Sequence, residues 1–110
     1  MSDLHTTGTG NPVIDDRIRG FPSGHAPLPL DAIGGKGWKP CDGRMALPLI
    51  SLDQQAFATN VDLMMAYVKD HGIEIAPHAK TPMSTAISGA LLAAGAWGTT
   101  VADIRQAAVM

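Results

Sequence analysis

The run from Ile73 to Ala102, IEIAPHAKTPMSTAISGALLAAGAWGTTVA, constrains the fold most, because it sets one helix between two apolar extended segments. Ile73 and Ile75 form a short apolar strand pattern, and Pro77 bars a helix from starting there. His78-Ala79-Lys80-Thr81-Pro82 follows as a loop, with Thr81 biased to extended geometry by the proline after it. Ser84 is a suitable N-cap, Ile87, Leu91 and Ala94 share a helical face, and Gly95 offers the left-handed residue that ends a helix. A second strand is expected around Thr99-Thr100-Val101. Strand, helix and strand in this order imply parallel strands joined by a crossover. Lys80 then sits just past the C-terminal end of a strand, on the loop feeding a helix. In parallel α/β sheets and barrels that edge is where ligands bind.

Upstream, the same alternation holds back to Leu47. Leu49-Ile50-Ser51-Leu52 reads as strand-like, and Asp53 as an N-cap. From Gln54 to His71, Phe57, Val61, Met64, Met65 and Val68 recur at helical spacing, which assigns Phe57, Met64 and Met65 to the core. Gly72 stands where a helix C-terminus wants glycine. After the Thr99 strand, Asp103 caps a third helix that begins at Ile104. Residues 1–46 are different: they hold most of the glycines and prolines, and no period of 3.6 or 2.0 persists in them. They read as an irregular leader, with one short helical turn at Val13–Ile18. Gly34-Gly35-Lys36-Gly37 lacks the spacing of a phosphate loop and has Trp38 where the loop needs Ser or Thr, so it reads as a turn.

The chain has 110 residues with a net charge of −2, so nothing electrostatic points to nucleic acid or an anionic membrane. Charged residues make up only 16% and hydrophobic ones 45%, a balance that suits part of a larger buried core. The single cysteine, Cys41, allows no internal disulfide and fits a reducing compartment. The N-terminus shows neither the basic nor the apolar region of a signal peptide, and no apolar run is long enough to span a bilayer. A cytoplasmic location is therefore expected. A (β/α)8 barrel takes about 200 residues or more, and the chain carries two to three βα units and a third helix without a closing cap. The expectation is an N-terminal piece of a longer enzyme.

Pro77-His78-Ala79-Lys80-Thr81, followed by Ala94-Gly95-Ala96-Trp97-Gly98, resembles the cofactor-lysine segment of the D-threonine aldolase and D-serine dehydratase family. That family belongs to the alanine-racemase-like, fold type III, pyridoxal-phosphate enzymes. Its pattern is Pro-His-x-Lys-Thr at the end of the first barrel strand, a helix, then an Ala-Gly-Ala-x-Gly turn, and the separation of the two motifs matches here. Two positions differ. Ala76 stands where the family commonly has arginine, and Pro82-Met83 where it has His-Lys. The second difference is similar to a deaminase-like subgroup.

The resemblance implies an α/β fold: a partial (β/α)8 TIM-type barrel, with the leader at 1–46 and the first barrel units at 47–110. It implies that Lys80 is the catalytic Schiff-base lysine holding pyridoxal 5'-phosphate. His78 and Thr81 are its neighbours at the cofactor. For His78 three roles stay open: stacking near the cofactor ring, positioning Lys80 by a hydrogen bond, or an ordinary loop histidine. Thr81 either bonds the cofactor or shapes the turn. No metal ligands are expected in this chain; a divalent metal, where relatives use one, is held by residues outside it, as are the phosphate cradle and the opposite-face acid. The implied activity is deamination or dehydration of D-serine-like or 3-hydroxy amino acids. Retro-aldol cleavage and racemisation are the alternatives, although alanine racemases carry Ala-Asn-Ala-Tyr-Gly after the lysine. The implied partners are a small amino acid and, for the full-length protein, a second copy in a homodimer, with no nucleic acid and no membrane. A small α/β binding domain with a merely exposed Lys80 is the alternative of another class. Trp97 is read as a core anchor, Asn60 as a cap or backbone orienter, and His5, His25, His71 and Cys41 as structural or solvent-facing.

Overall fold

The computed structural model describes residues 10–110. His5 and the first nine residues of the expected leader lie outside them. The chain is mixed helix and strand, and it packs as two units, residues 10–52 and residues 53–110.

In the second unit, α1 (Gln54–Asp70) starts where the Asp53 carboxylate accepts the Ala56 N–H at 2.8 Å. It stops in a Schellman turn: Gly72, at φ 62°, donates to Lys69 O, and Ile73 N donates to Val68 O, both at 3.1 Å. Phe57, Val61, Met65 and Val68 make its half-buried stripe. Met64, expected in the core, is 47% exposed, because it falls on the margin of that stripe. The next helix, α2 (Thr85–Ala93), repeats the scheme. Ser84 Oγ accepts Ile87 N at 3.3 Å, and at the far end Gly95 N bonds Leu92 O while Ala96 N bonds Leu91 O. Asp103 caps α3 (Ile104–Val109) through the N–H groups of Arg105 and Gln106.

The strands flanking α2 are shorter than the sequence suggests. The parallel pairing is a single bridge, His78 with Thr100, displaced towards the C-terminus from the expected strand at Ile73–Ala76. It is made by Thr100 N donating to Pro77 O at 2.9 Å and Ala79 N donating to Thr100 O at 2.7 Å. Pro77 has no N–H to give, which limits the ladder on that side. Outside that bridge, Trp97 N donates to Ile75 O at 2.9 Å. The connection from one segment to its parallel neighbour therefore runs through α2, as the alternation requires.

The first unit contains β1 (Val13–Ile14) and β2 (Leu28–Pro29), an antiparallel pair in the register Val13 to Pro29 and Ile14 to Leu28. Three 3-10 turns follow, at Leu30–Ala32, Gly34–Lys36 and Pro40–Asp42. The helical turn expected at Val13–Ile18 does not form. Its β-branched start prefers the extended pairing, and Asp15 then folds the chain over by accepting Arg17 N at 3.0 Å. Leu49–Leu52 is likewise unpaired and packs with this unit. The core here is aromatic. Phe21 is 5% exposed and meets the Trp38 ring edge-on at 5.4 Å and the His25 ring at 5.9 Å, with His25 and Trp38 5.0 Å apart.

Two carboxylates in this unit are held below the ordinary carboxylate range. Asp15 is lowered chiefly by the Arg17 side chain that bonds it, and Asp42 chiefly by the Arg44 backbone N–H. A depressed native pKa contributes stability above the unfolded value and loses it as pH falls through the native one. The unit should therefore lose stability with a shallow slope on the acid side of that range and show none of this loss near neutrality. Urea midpoints followed against pH by Trp38 emission check this. Asp15→Asn combined with Asp42→Asn should flatten the acid slope; an unchanged slope would show that other groups set it.

Candidate functional site

Lys80 emerges between two fixed points. On its N-terminal side Ala79 is 3% exposed and pinned by its bond to Thr100 O. On its C-terminal side the chain returns to Ala79 within one turn, Met83 N donating to Ala79 O at 2.9 Å, and then enters α2 at the Ser84 cap. Lys80, Thr81 and Pro82 form the loop between these points, and all three are exposed. The Lys80 side chain is thus accessible while its Cα is held by the backbone bonds of its neighbours. Among the described residues the Lys80 side chain takes part in no ion pair.

His78 sits on the parallel bridge, and its Nδ1 accepts the Lys80 backbone N–H at 3.4 Å. This long, local contact involves the Lys80 backbone and not its side chain. The Thr81 hydroxyl makes no hydrogen bond among the described residues.

Two residues that matter locally are not singled out by the sequence. Thr100 Oγ1 donates to Ala76 O at 2.8 Å, and Thr99 Oγ1 donates to Pro77 O at 3.2 Å. Together they clamp the carbonyls of the segment leading to Lys80. The available signal was the Thr-Thr pair itself, since such hydroxyls seek nearby backbone groups. Trp97, in contrast, does not anchor the core: it is 73% exposed, and the buried residue of that turn is Ala96, at 7%. Small Ala79, Ala96 and Ser88 are the buried residues of this unit, so close approach of backbone rather than a large ring closes it. Asn60 is exposed on α1. His71 stacks on Tyr67 with centroids 4.0 Å apart, and Cys41 is free and exposed.

The cap of α2 is part of this site because it fixes where the loop ends. Ser84→Ala should weaken α2 by about 1 kcal/mol. A fall in the thermal midpoint, with Ser84→Asp close to the native protein, is the expected pattern; equal midpoints for native protein and alanine variant would remove the cap from the account. No group of three or more His, Cys, Asp or Glu side chains gathers to hold a metal among the described residues, and no helix there is long and apolar enough to cross a membrane. Comparison with family models, with curated proteins and with solved structures finds no match for this chain.

Proposed function

We propose that the chain supplies the first βα units of an alanine-racemase-like barrel in a pyridoxal-phosphate enzyme acting on D-amino acids, with Lys80 as the residue that binds the cofactor covalently. The observation that carries it is the placement of Lys80. It lies at the exit of a parallel-paired segment, on the loop that feeds α2, inside a run resembling the family's lysine motif. The residues present fit the group at the aldehyde end: an exposed amine on a fixed backbone, with His78 beside it.

The apolar surface of this unit gives separate support. Leu63 is 70% exposed, Ile73 52%, Trp97 73% and Ile104 82%. Surface of that kind is what the first units of a barrel offer to the later strands and helices that close it. The phosphate cradle, the acid on the opposite face and any divalent metal would then belong to those later parts. A homodimer in the cytoplasm is the form proposed for the complete enzyme.

When bound, the cofactor supplies an electron sink for the carbanion at the amino acid Cα. Lys80 would hold it before the substrate amine displaces the lysine, and the freed Nζ would then take or return the Cα proton on one face. His78 would fix the loop from which that nitrogen works. Pro82-Met83 after Lys80-Thr81 favours deamination of D-serine-like substrates over retro-aldol cleavage. Product analysis of the complete protein with D-serine and a D-threo-3-hydroxy amino acid tests this. Ammonia and a keto acid are expected. Glycine plus an aldehyde would make it a retro-aldol lyase, the opposite enantiomer a racemase, and no turnover with no cofactor uptake a small binding domain.

A further inference from the structure

We infer that Met83 is a positioning residue for Lys80, acting through a left-handed backbone that closes the lysine loop; this rests on Lys80 being the cofactor lysine. Met83 is the one non-glycine residue at positive φ among the described residues, at φ 41°. Left-handed geometry is strained for any side chain bearing Cβ, and glycine is the residue that adopts it freely. Such strain persists only where the surroundings over-determine it, and it clusters where a protein needs a group held in place.

The surroundings here are specific. Met83 N donates to Ala79 O at 2.9 Å, and Ala79 is buried and tied to Thr100 O at 2.7 Å. Pro82 has a fixed φ and no N–H, so the bond that closes the loop onto Ala79 cannot come from it and falls to Met83 N. Ser84, still extended at φ −121° and ψ 114°, is already committed to capping α2. Between these two constraints the chain must reverse within one residue, and the left-handed turn at Met83 does so. The Ala79 to Met83 bond then spans Lys80, Thr81 and Pro82, and the second tether on the loop is Lys80 N to His78 Nδ1. Loss of the turn would leave the Lys80 Cα held on one side only.

Glycine at this position should release strain and at the same time loosen the loop, so stability and lysine positioning move in opposite directions. Asparagine also tolerates the left-handed region but retains a Cβ and restricts the alternatives, which makes it the conservative control. The experiment incubates the complete protein with pyridoxal phosphate, reduces timed samples with borohydride, and maps the adduct to each lysine. Lys36, Lys39 and Lys69 serve as internal references. The expected result is preferential labelling of Lys80 in the native protein, with the preference reduced roughly threefold or more in Met83→Gly. Met83→Asn should keep it, and the Met83→Gly melting midpoint should be equal to or above the native one. Native protein with no preference for Lys80 would sink the cofactor assignment and this inference with it. Native preference unchanged in Met83→Gly overturns the inference alone. So does loss of the preference in Met83→Asn, which would trace the effect to the thioether, and so does a lowered midpoint for Met83→Gly.

Discussion

Replacing Lys80 by alanine is expected to abolish cofactor-dependent turnover of D-amino acids in the complete protein, by a factor on the order of 10³ or more. Fold stability should hardly move. Lys80 is exposed, its loop is fixed by backbone bonds of its neighbours, and surface substitutions of this kind usually stay within about 0.5 kcal/mol. The combination is diagnostic: activity lost and melting midpoint kept. Lys80→Arg should behave in the same way, because guanidinium keeps the charge but stays protonated and does not attack a carbonyl. Steady-state rates for the three proteins, with midpoints from the same preparations, make the comparison. Turnover retained by either variant would remove Lys80 from the chemistry.

The largest structural effect should come from Phe21→Ala. Phe21 is the most buried large side chain of residues 10–52, at 5% exposure, and the Trp38 and His25 rings both pack edge-on against it. Deleting a buried phenylalanine ring costs about 3–5 kcal/mol. A unit of roughly forty residues has only about 2–6 kcal/mol in total on the usual per-residue scale, so the variant should leave this unit largely unfolded. Trp38 reports it, once Trp97→Phe has removed the other indole; Trp97 is 73% exposed and should tolerate the change. Red-shifted Trp38 emission at zero denaturant is expected for Phe21→Ala, and emission close to native for Phe21→Leu. Native-like emission and an unchanged urea midpoint in Phe21→Ala would show that the aromatic cluster does not hold the unit together.

Local signals explain what could be read from the residues. Asp53, Ser84 and Asp103 cap three helices, and Gly72 and Gly95 end two of them, because each is settled by chemistry within one turn of chain. The order of extended segment, helix and extended segment was legible for the same reason. Strand lengths were not. A strand exists only where a partner supplies its hydrogen bonds, so Ile73–Ala76 and Leu49–Leu52, apolar as they are, form no ladder among the described residues. Burial of Trp97 and Met64 failed as an expectation for a related reason: apolar character states a preference for cover but does not provide the cover. At the site, Lys80 and its place on the loop were readable. The Thr99 and Thr100 clamps join residues 22 and 24 positions apart, which no local pattern encodes, and the left-handed Met83 has no glycine to signal it.

Reductive trapping on the natural protein tests the central claim most directly: the intact mass is measured with pyridoxal phosphate, before and after borohydride, followed by a peptide map. One stoichiometric adduct on the peptide containing Lys80, absent without borohydride, is the expected result. No adduct, or one scattered over Lys36, Lys39 and Lys69 as readily as Lys80, would contradict the cofactor role and leave an α/β domain with an exposed lysine.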